Sequence, residues 1–220
     1  MIIHKIYNNN LDIKEAILLM RSVVPSNKGP GPRVSFHIGH VVMTTLFISD
    51  QNRISRQTLA ESLGASEGTV KTLIAYMQLT HIAMTSSSGT GLTGFGSEVA
   101  LAFRGVVQMW KDVKVYYVAT DLSAVAFKLR KQSISPLSVI SLRDGVVKYG
   151  GTGATLAIFS NGKFTIPLVT EDLSSVSNDD VNELKKLNPK DQEIIVIVSA
   201  RSAAIARTAF VASLTDILVV

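Results

Sequence analysis

The chain has 220 residues, of which 46% are hydrophobic and 18% charged, with a net charge of +5 and no cysteine. The missing cysteines exclude disulfides, thiolate metal sites and a cysteine nucleophile, and the length accommodates two compact domains with separate cores. Residues 1–110 hold 9 basic and 6 acidic side chains and residues 111–220 hold 13 and 11, so the basic excess is spread over both halves and favours an acidic partner only weakly.

The first residues, MIIHKIYNNN, lack the apolar core of a secretory signal, and no uninterrupted apolar run approaches the roughly 20 residues that span a bilayer. The sequence therefore predicts a cytoplasmic protein with no membrane partner. Leu11 to Val24 places Ile13, Ile17, Leu18 and Met20 at helical spacing and ends before Pro25. The Gly/Pro stretch SNKGPGPR follows as a linker, because proline fixes φ and excludes helix. Ser35 is expected to cap a helix running to about Ser49.

Residues Ile54 to Gly96 carry the strongest pattern, that of a helix-turn-helix followed by a glycine-rich hairpin. Ser55 and Ser66 are placed to N-cap two helices and Gly64 to end the first, with Ala60 as the small residue where the helices approach. In the second helix Val70, Leu73, Ile74 and Met77 form an apolar stripe, which leaves Glu67, Gly68, Thr69, Lys71, Thr72, Ala75 and Tyr76 on the opposite side. Ile82–Thr85 and Leu92–Phe95 then pair across Ser86–Gly91, and a helix from Ser97 to about Trp110 closes a winged-helix domain.

In the second half, Val113–Ala119 reads as a strand, and Leu122–Lys131 and Leu137–Tyr149 as helices. Asn161-Gly162 is a hairpin turn between strands Ala154–Phe159 and Lys163–Ile166. Asn178–Leu187 is helical, with Asp179 and Asp180 complementing its N-terminal dipole. Glu193–Ser199 is a buried strand, and Ser202–Leu218 is an alanine-rich helix with the composition of a core element or a dimer seam. The expected fold class is thus α+β or α/β. Residues 1–34 form an arm and linker, 35–110 a winged helix-turn-helix, and 111–220 an α/β sandwich with a small mixed sheet.

The segments GPGPRVSF (29–36), LGASEGTVKTL (63–73), LRDGVVKYGGTGATLAIFSNGKFTIP (142–167) and NPKDQEIIVIVSA (188–200) resemble an archaeal family of predicted transcriptional regulators. In that family an N-terminal winged helix precedes a C-terminal domain of unknown function. The resemblance covers most of the chain after residue 25 and implies a DNA-binding regulator without an established ligand or reaction.

The candidate DNA contacts are Thr69, Lys71, Thr72 and Tyr76 on the presented helix, with Arg53 and Arg56 placed to grip phosphates. A speculative ligand site comprises Ser199, Arg201 and Ser202, where a buried strand delivers small residues to a helix N-terminus. Gly150, Gly151 and Gly153 invite a phosphate-loop reading, but a helix C-cap and tight turn explain them better. His37 and His40 lie three residues apart without a third metal ligand, so core-edge histidines are the favoured reading. Arg143 and Asp144 point to different helix faces, and Glu171, Asp172, Asp179 and Asp180 suit capping and solvation. No catalytic residue, cofactor or metal is expected.

These features predict a transcriptional regulator that binds double-stranded DNA, with a homodimer and a small-molecule effector as further partners. Two alternatives stay open. One is a nucleotide- or anion-binding enzyme in the C-terminal half, and the other is a protein-interaction adaptor.

Overall fold

The computed structural model describes residues 11–25, 35–130 and 139–219. The linker SNKGPGPR and the first residues of the predicted Leu137 helix lie outside the described residues. The chain divides between Phe103 and Arg104 into two units.

The first unit begins with helix α1 (Ile13–Val23), whose buried stripe of Ala16, Ile17, Met20 and Val23 packs on α2 (Ile38–Gln51). A short strand β1 (Arg53–Ile54) leads into α3 (Arg56–Leu63). Ser55 caps α3 by accepting from the Thr58 N–H, and Gly64 ends it in the left-handed region at φ 61°. Helix α4 (Glu67–Leu79) is capped in the same way by Ser66, and buries Val70, Leu73, Ile74 and Met77. Both caps and the apolar stripe follow the sequence pattern, because each rests on spacing within a single turn of helix.

Strands β2 (Ala83–Ser86) and β3 (Gly89–Leu92) pair antiparallel, and β1 joins them in a sheet of order β1-β3-β2. Gly89 combines φ 118° with close packing, since a Cβ there would lie 2.8 Å from the Ile54 carbonyl oxygen. Helix α5 (Gly94–Arg104) starts earlier than expected and stops six residues short of Trp110. Gly105 interrupts it, and the β-branched Val106 and Val107 lead into a strand.

That strand, β4 (Val107–Val113), opens a five-stranded sheet with β5 (Ser123–Leu129), β6 (Gly153–Ser160), β7 (Lys163–Thr165) and β8 (Glu193–Ala200) in the order β4-β5-β8-β6-β7. Every pairing is antiparallel, which corrects the expected mixed sheet. The expected helix at Leu122–Lys131 is also corrected, because Ser123–Leu129 is β5, paired on both sides, and Lys131 lies outside the described residues. Short apolar runs are ambiguous between helix and strand, and here the two neighbouring strands decided.

Helix α6 (Val139–Lys148) connects β5 to β6, and α7 (Asn178–Lys185) and α8 (Ala203–Val219) precede and follow β8. Strand β8 is buried at all eight positions, as the apolar run Ile194–Val198 requires of a central strand covered on both faces, and Glu193 and Ser199 are buried with it. On one face, Ile195 and Ile197 join Leu173, Val181 and Leu184 from the region of α7 in a core cluster. In α8, Phe210 stacks on Phe127 of β5 at 4.0 Å, and Thr208 to Thr215 are all buried. The alanine-rich helix is therefore a core element. Gly145 lets α6 approach it, since a Cβ at Gly145 would lie 2.2 Å from Ser213 Oγ. None of the described helices is long and apolar enough to cross a membrane.

Candidate nucleic-acid interface

Helix α4 is held from beneath by its four buried side chains and from one side by the residues that precede α2. Ser35 Oγ lies 2.7 Å from Thr69 Oγ1, and the Phe36 ring meets Tyr76 edge-on at 6.2 Å. The expected cap of α2 by Ser35 is corrected by this arrangement. His37 is the cap, its Nδ1 accepting from the Gly39 N–H at 3.1 Å, while His40 Nδ1 accepts from the His37 N–H at 3.3 Å. The two rings touch edge-on at 4.3 Å. Burial and the neighbouring imidazole lower the His37 pKa to about 3, and burial lowers that of His40 to about 4.

This packing sorts the candidate DNA contacts. Lys71 and Thr72 are exposed, although the Thr72 hydroxyl donates back to the Gly68 carbonyl at 3.0 Å. Thr69 is half-buried between Ser35 and Ser66, and Tyr76 is half-buried against Phe36. Arg53 donates to Ser86 Oγ at 2.7 Å, which ties β1 to the tip of the β2–β3 hairpin, whereas Arg56 is exposed at the start of α3. The exposed residues of α4 are Glu67, Gly68, Lys71, Thr72, Ala75, Gln78 and Leu79. Around Lys71, the single cation of this face, Gly68, Thr72 and Ala75 are short enough to allow close approach of a partner surface.

In the second unit Ser199, Arg201 and Ser202 do not converge on an open acceptor site. Ser199 is buried, and its Oγ accepts from the Thr120 N–H at 3.0 Å. Ser202 Oγ caps α8 through the Ile205 N–H, and Arg201 is exposed. The glycines after α6 are equally committed: the N–H groups of Gly150, Gly151 and Thr152 donate to the carbonyls of Val147, Val146 and Ser199. Gly150 takes φ 96°, as expected of a helix C-cap.

The acidic residues play separate parts. Asp172 pairs with Lys163 at 2.9 Å and caps the turn at Leu173–Ser175, whereas Asp180 is fully buried. Asp180 accepts from the N–H groups of Tyr116 and Tyr117 at 2.9 Å and of Val118 at 3.1 Å. Residues 114–119, expected to be strand, are instead a loop wrapped around this carboxylate. From sequence, Asp180 suits only the helix dipole, capping and solvation, because nothing local links it to a segment more than sixty residues away. Arg143 and Asp144 are exposed on α6. Among the described residues no group of three or more His, Asp or Glu is arranged to hold a metal ion.

No curated protein matches the sequence of this chain. Among solved structures, its fold is similar to that of the hypothetical protein PH0730 from Pyrococcus horikoshii OT3. The TM-score is 0.66 at 19% identity, and the match covers 83% of this chain and 93% of that one. This likeness to an archaeal protein concerns the fold. Residues 120–217, within the second unit, match the family model of a domain of unknown function (DUF4443).

Proposed function

We propose that the first unit is a winged helix which binds double-stranded DNA, and that the chain is a transcriptional regulator. In this reading α4 enters the major groove and the β2–β3 hairpin is the wing. The second unit dimerises or senses a small molecule. The observation that carries the proposal is the division of α4 into two faces: four apolar side chains anchor it, while Gly68, Lys71, Thr72 and Ala75 stand exposed. A helix fixed on one side and open on the other, reached through a short turn and followed by a hairpin, suits insertion into a groove about 12 Å wide. Lys71 and Thr72 face the bases, Arg56 contacts a phosphate, and Arg53 holds the wing in place through Ser86.

Fluorescence anisotropy with random-sequence and genomic-fragment duplexes across a salt series tests this reading. The expected result is binding that weakens steeply with salt and a preference for particular fragments, because phosphate contacts release counterions. Lys71→Glu should weaken binding roughly ten-fold or more, on the scale of one charge-assisted contact. No binding at low salt would overturn the proposal, and unchanged affinity of the variant would remove α4 from the interface.

A further inference from the structure

In the second unit, residues 111–122 gather exposed large side chains that the core does not use. Tyr116 is 80% exposed, Tyr117 50% and Leu122 100%, and Lys111 and Lys114 are exposed as well. Val113, Val115 and Val118 of the same segment are buried, so the chain is anchored through its valines while the tyrosines face solvent.

The backbone beneath the tyrosines is fixed by Asp180, whose two carboxylate oxygens take the three consecutive N–H groups of residues 116–118. A surface loop can satisfy its N–H groups with water. Here a fully buried carboxylate does so instead, which holds the loop in one shape without any contribution from the exposed rings. The backbone that carries the tyrosines is thus held in place, and little backbone entropy is lost when the rings are covered.

Two acids border the tyrosines, and each is taken up by another cation: Asp112 pairs with Arg207 at 2.6 Å, and Glu183 with Lys186. The Lys114 N–H donates to Glu183 Oε1 at 3.3 Å, and Lys186 pairs with Glu183 Oε2. The hydrogen bond from Lys186 leads the causes that hold the Glu183 carboxyl below its ordinary range, with the Lys114 N–H and the charges of Lys186 and Lys111 adding to it. Only the backbone N–H of Lys114 is used by Glu183, and the exposed side chains of Lys111 and Lys114 stand beside the tyrosines.

Exposed aromatic faces beside ammonium groups are the two elements by which proteins hold single strands, the rings stacking on bases and the cations following the phosphates. A duplex keeps its bases stacked on one another and offers no face to a tyrosine. Protein interfaces use tyrosine but are depleted in lysine, so the combination favours nucleic acid. We propose that residues Lys111–Tyr117 form a platform for single-stranded nucleic acid, with Tyr116 and Tyr117 stacking on adjacent bases and Lys111 and Lys114 contacting phosphates. This surface belongs to the second unit, whereas α4 belongs to the first, and the proposal does not rest on duplex binding.

Anisotropy titration of the full-length protein with fluorescein-labelled oligo(dT) and oligo(U), at low and high salt, tests the platform. Binding should weaken with salt, and the Tyr116→Ala, Tyr117→Ala double variant should lose roughly ten-fold or more in affinity, the scale of a lost base–aromatic stack. The Tyr→Phe pair should keep the binding, because the ring face is retained. Lys71→Glu should leave it unchanged, which separates this surface from the duplex interface. Because the rings are exposed, the alanine variants should melt with the parent protein, so a loss of binding reports the surface itself. The proposal is overturned by absence of binding to either oligonucleotide at low salt, by equal affinity of the alanine variant, or by a Tyr→Phe pair as weak as the alanine pair.

Discussion

Acid should weaken the first unit through the paired histidines at the start of α2. Both rings accept a backbone N–H through Nδ1, so each must be neutral at that nitrogen for the cap to form. In the fold their pKa values lie at about 3 for His37 and about 4 for His40, against 6.5 in the unfolded chain. A depressed pKa means that the unfolded state takes up protons first. The stability is therefore fully present above pH 6.5 and is lost progressively as the pH falls toward 4 and 3. At pH 5 the linkage amounts to about 2 kcal/mol per ring, or on the order of 4 kcal/mol for the pair if their effects add. With a urea dependence of about 1–3 kcal/mol per M, the unfolding midpoint should fall by roughly 1–4 M between pH 7 and pH 5.

The control replaces the histidines with groups that cap without titrating. His37→Ser with His40→Gln recreates the Ser-x-x-Gln form of the capping box, in which a hydroxyl and a carboxamide serve as acceptors without titrating. Urea unfolding followed by far-UV circular dichroism at pH 7, 6 and 5 should give this variant nearly the parent midpoint at pH 7 and a clearly flatter dependence below it. Equal slopes for parent and variant would refute the reasoning, because the acid loss would then belong to other groups.

Further predictions concern single contacts. Asp180→Ala should destabilise the second unit by about 3 kcal/mol or more, read as a lower melting temperature, because three N–H groups lose a shared buried acceptor. Gly96→Ala should cost about 1–3 kcal/mol or more in the first unit, since its Cβ would fall 2.0 Å from the Ile82 carbonyl oxygen and the backbone must move. Phe210→Ala should lower stability by about 3–5 kcal/mol by removing a fully buried ring that stacks on Phe127, and a change under 1 kcal/mol in urea unfolding would contradict that packing.

The sequence determined those features whose physics is local. Ser55 and Ser66 cap α3 and α4 because a hydroxyl at that position reaches an N–H three residues on, and Gly64 ends α3 because the left-handed conformation carries no Cβ penalty there. Asn161-Gly162 turns β6 into β7 with both residues at positive φ, and the apolar run of β8 announces a strand buried on both faces. The buried stripe of α4, and with it the exposed stripe that carries the candidate DNA contacts, is likewise a matter of helical periodicity.

Tertiary structure decided what depends on distant partners. The segment Ser123–Leu129 has a composition that suits either helix or strand, and became β5 because β4 and β8 supply hydrogen bonds on its two edges. Pairing direction is likewise settled only when the strands meet, so the sheet is antiparallel where a mixed one was expected. Ser35 yields the cap of α2 to His37 and turns to Thr69, and Asp180 reaches back more than sixty residues to hold the loop beneath Tyr116 and Tyr117. Periodicity records which face of a helix is buried. It does not record which distant backbone a buried carboxylate will meet, because that depends on how the strands between them are ordered.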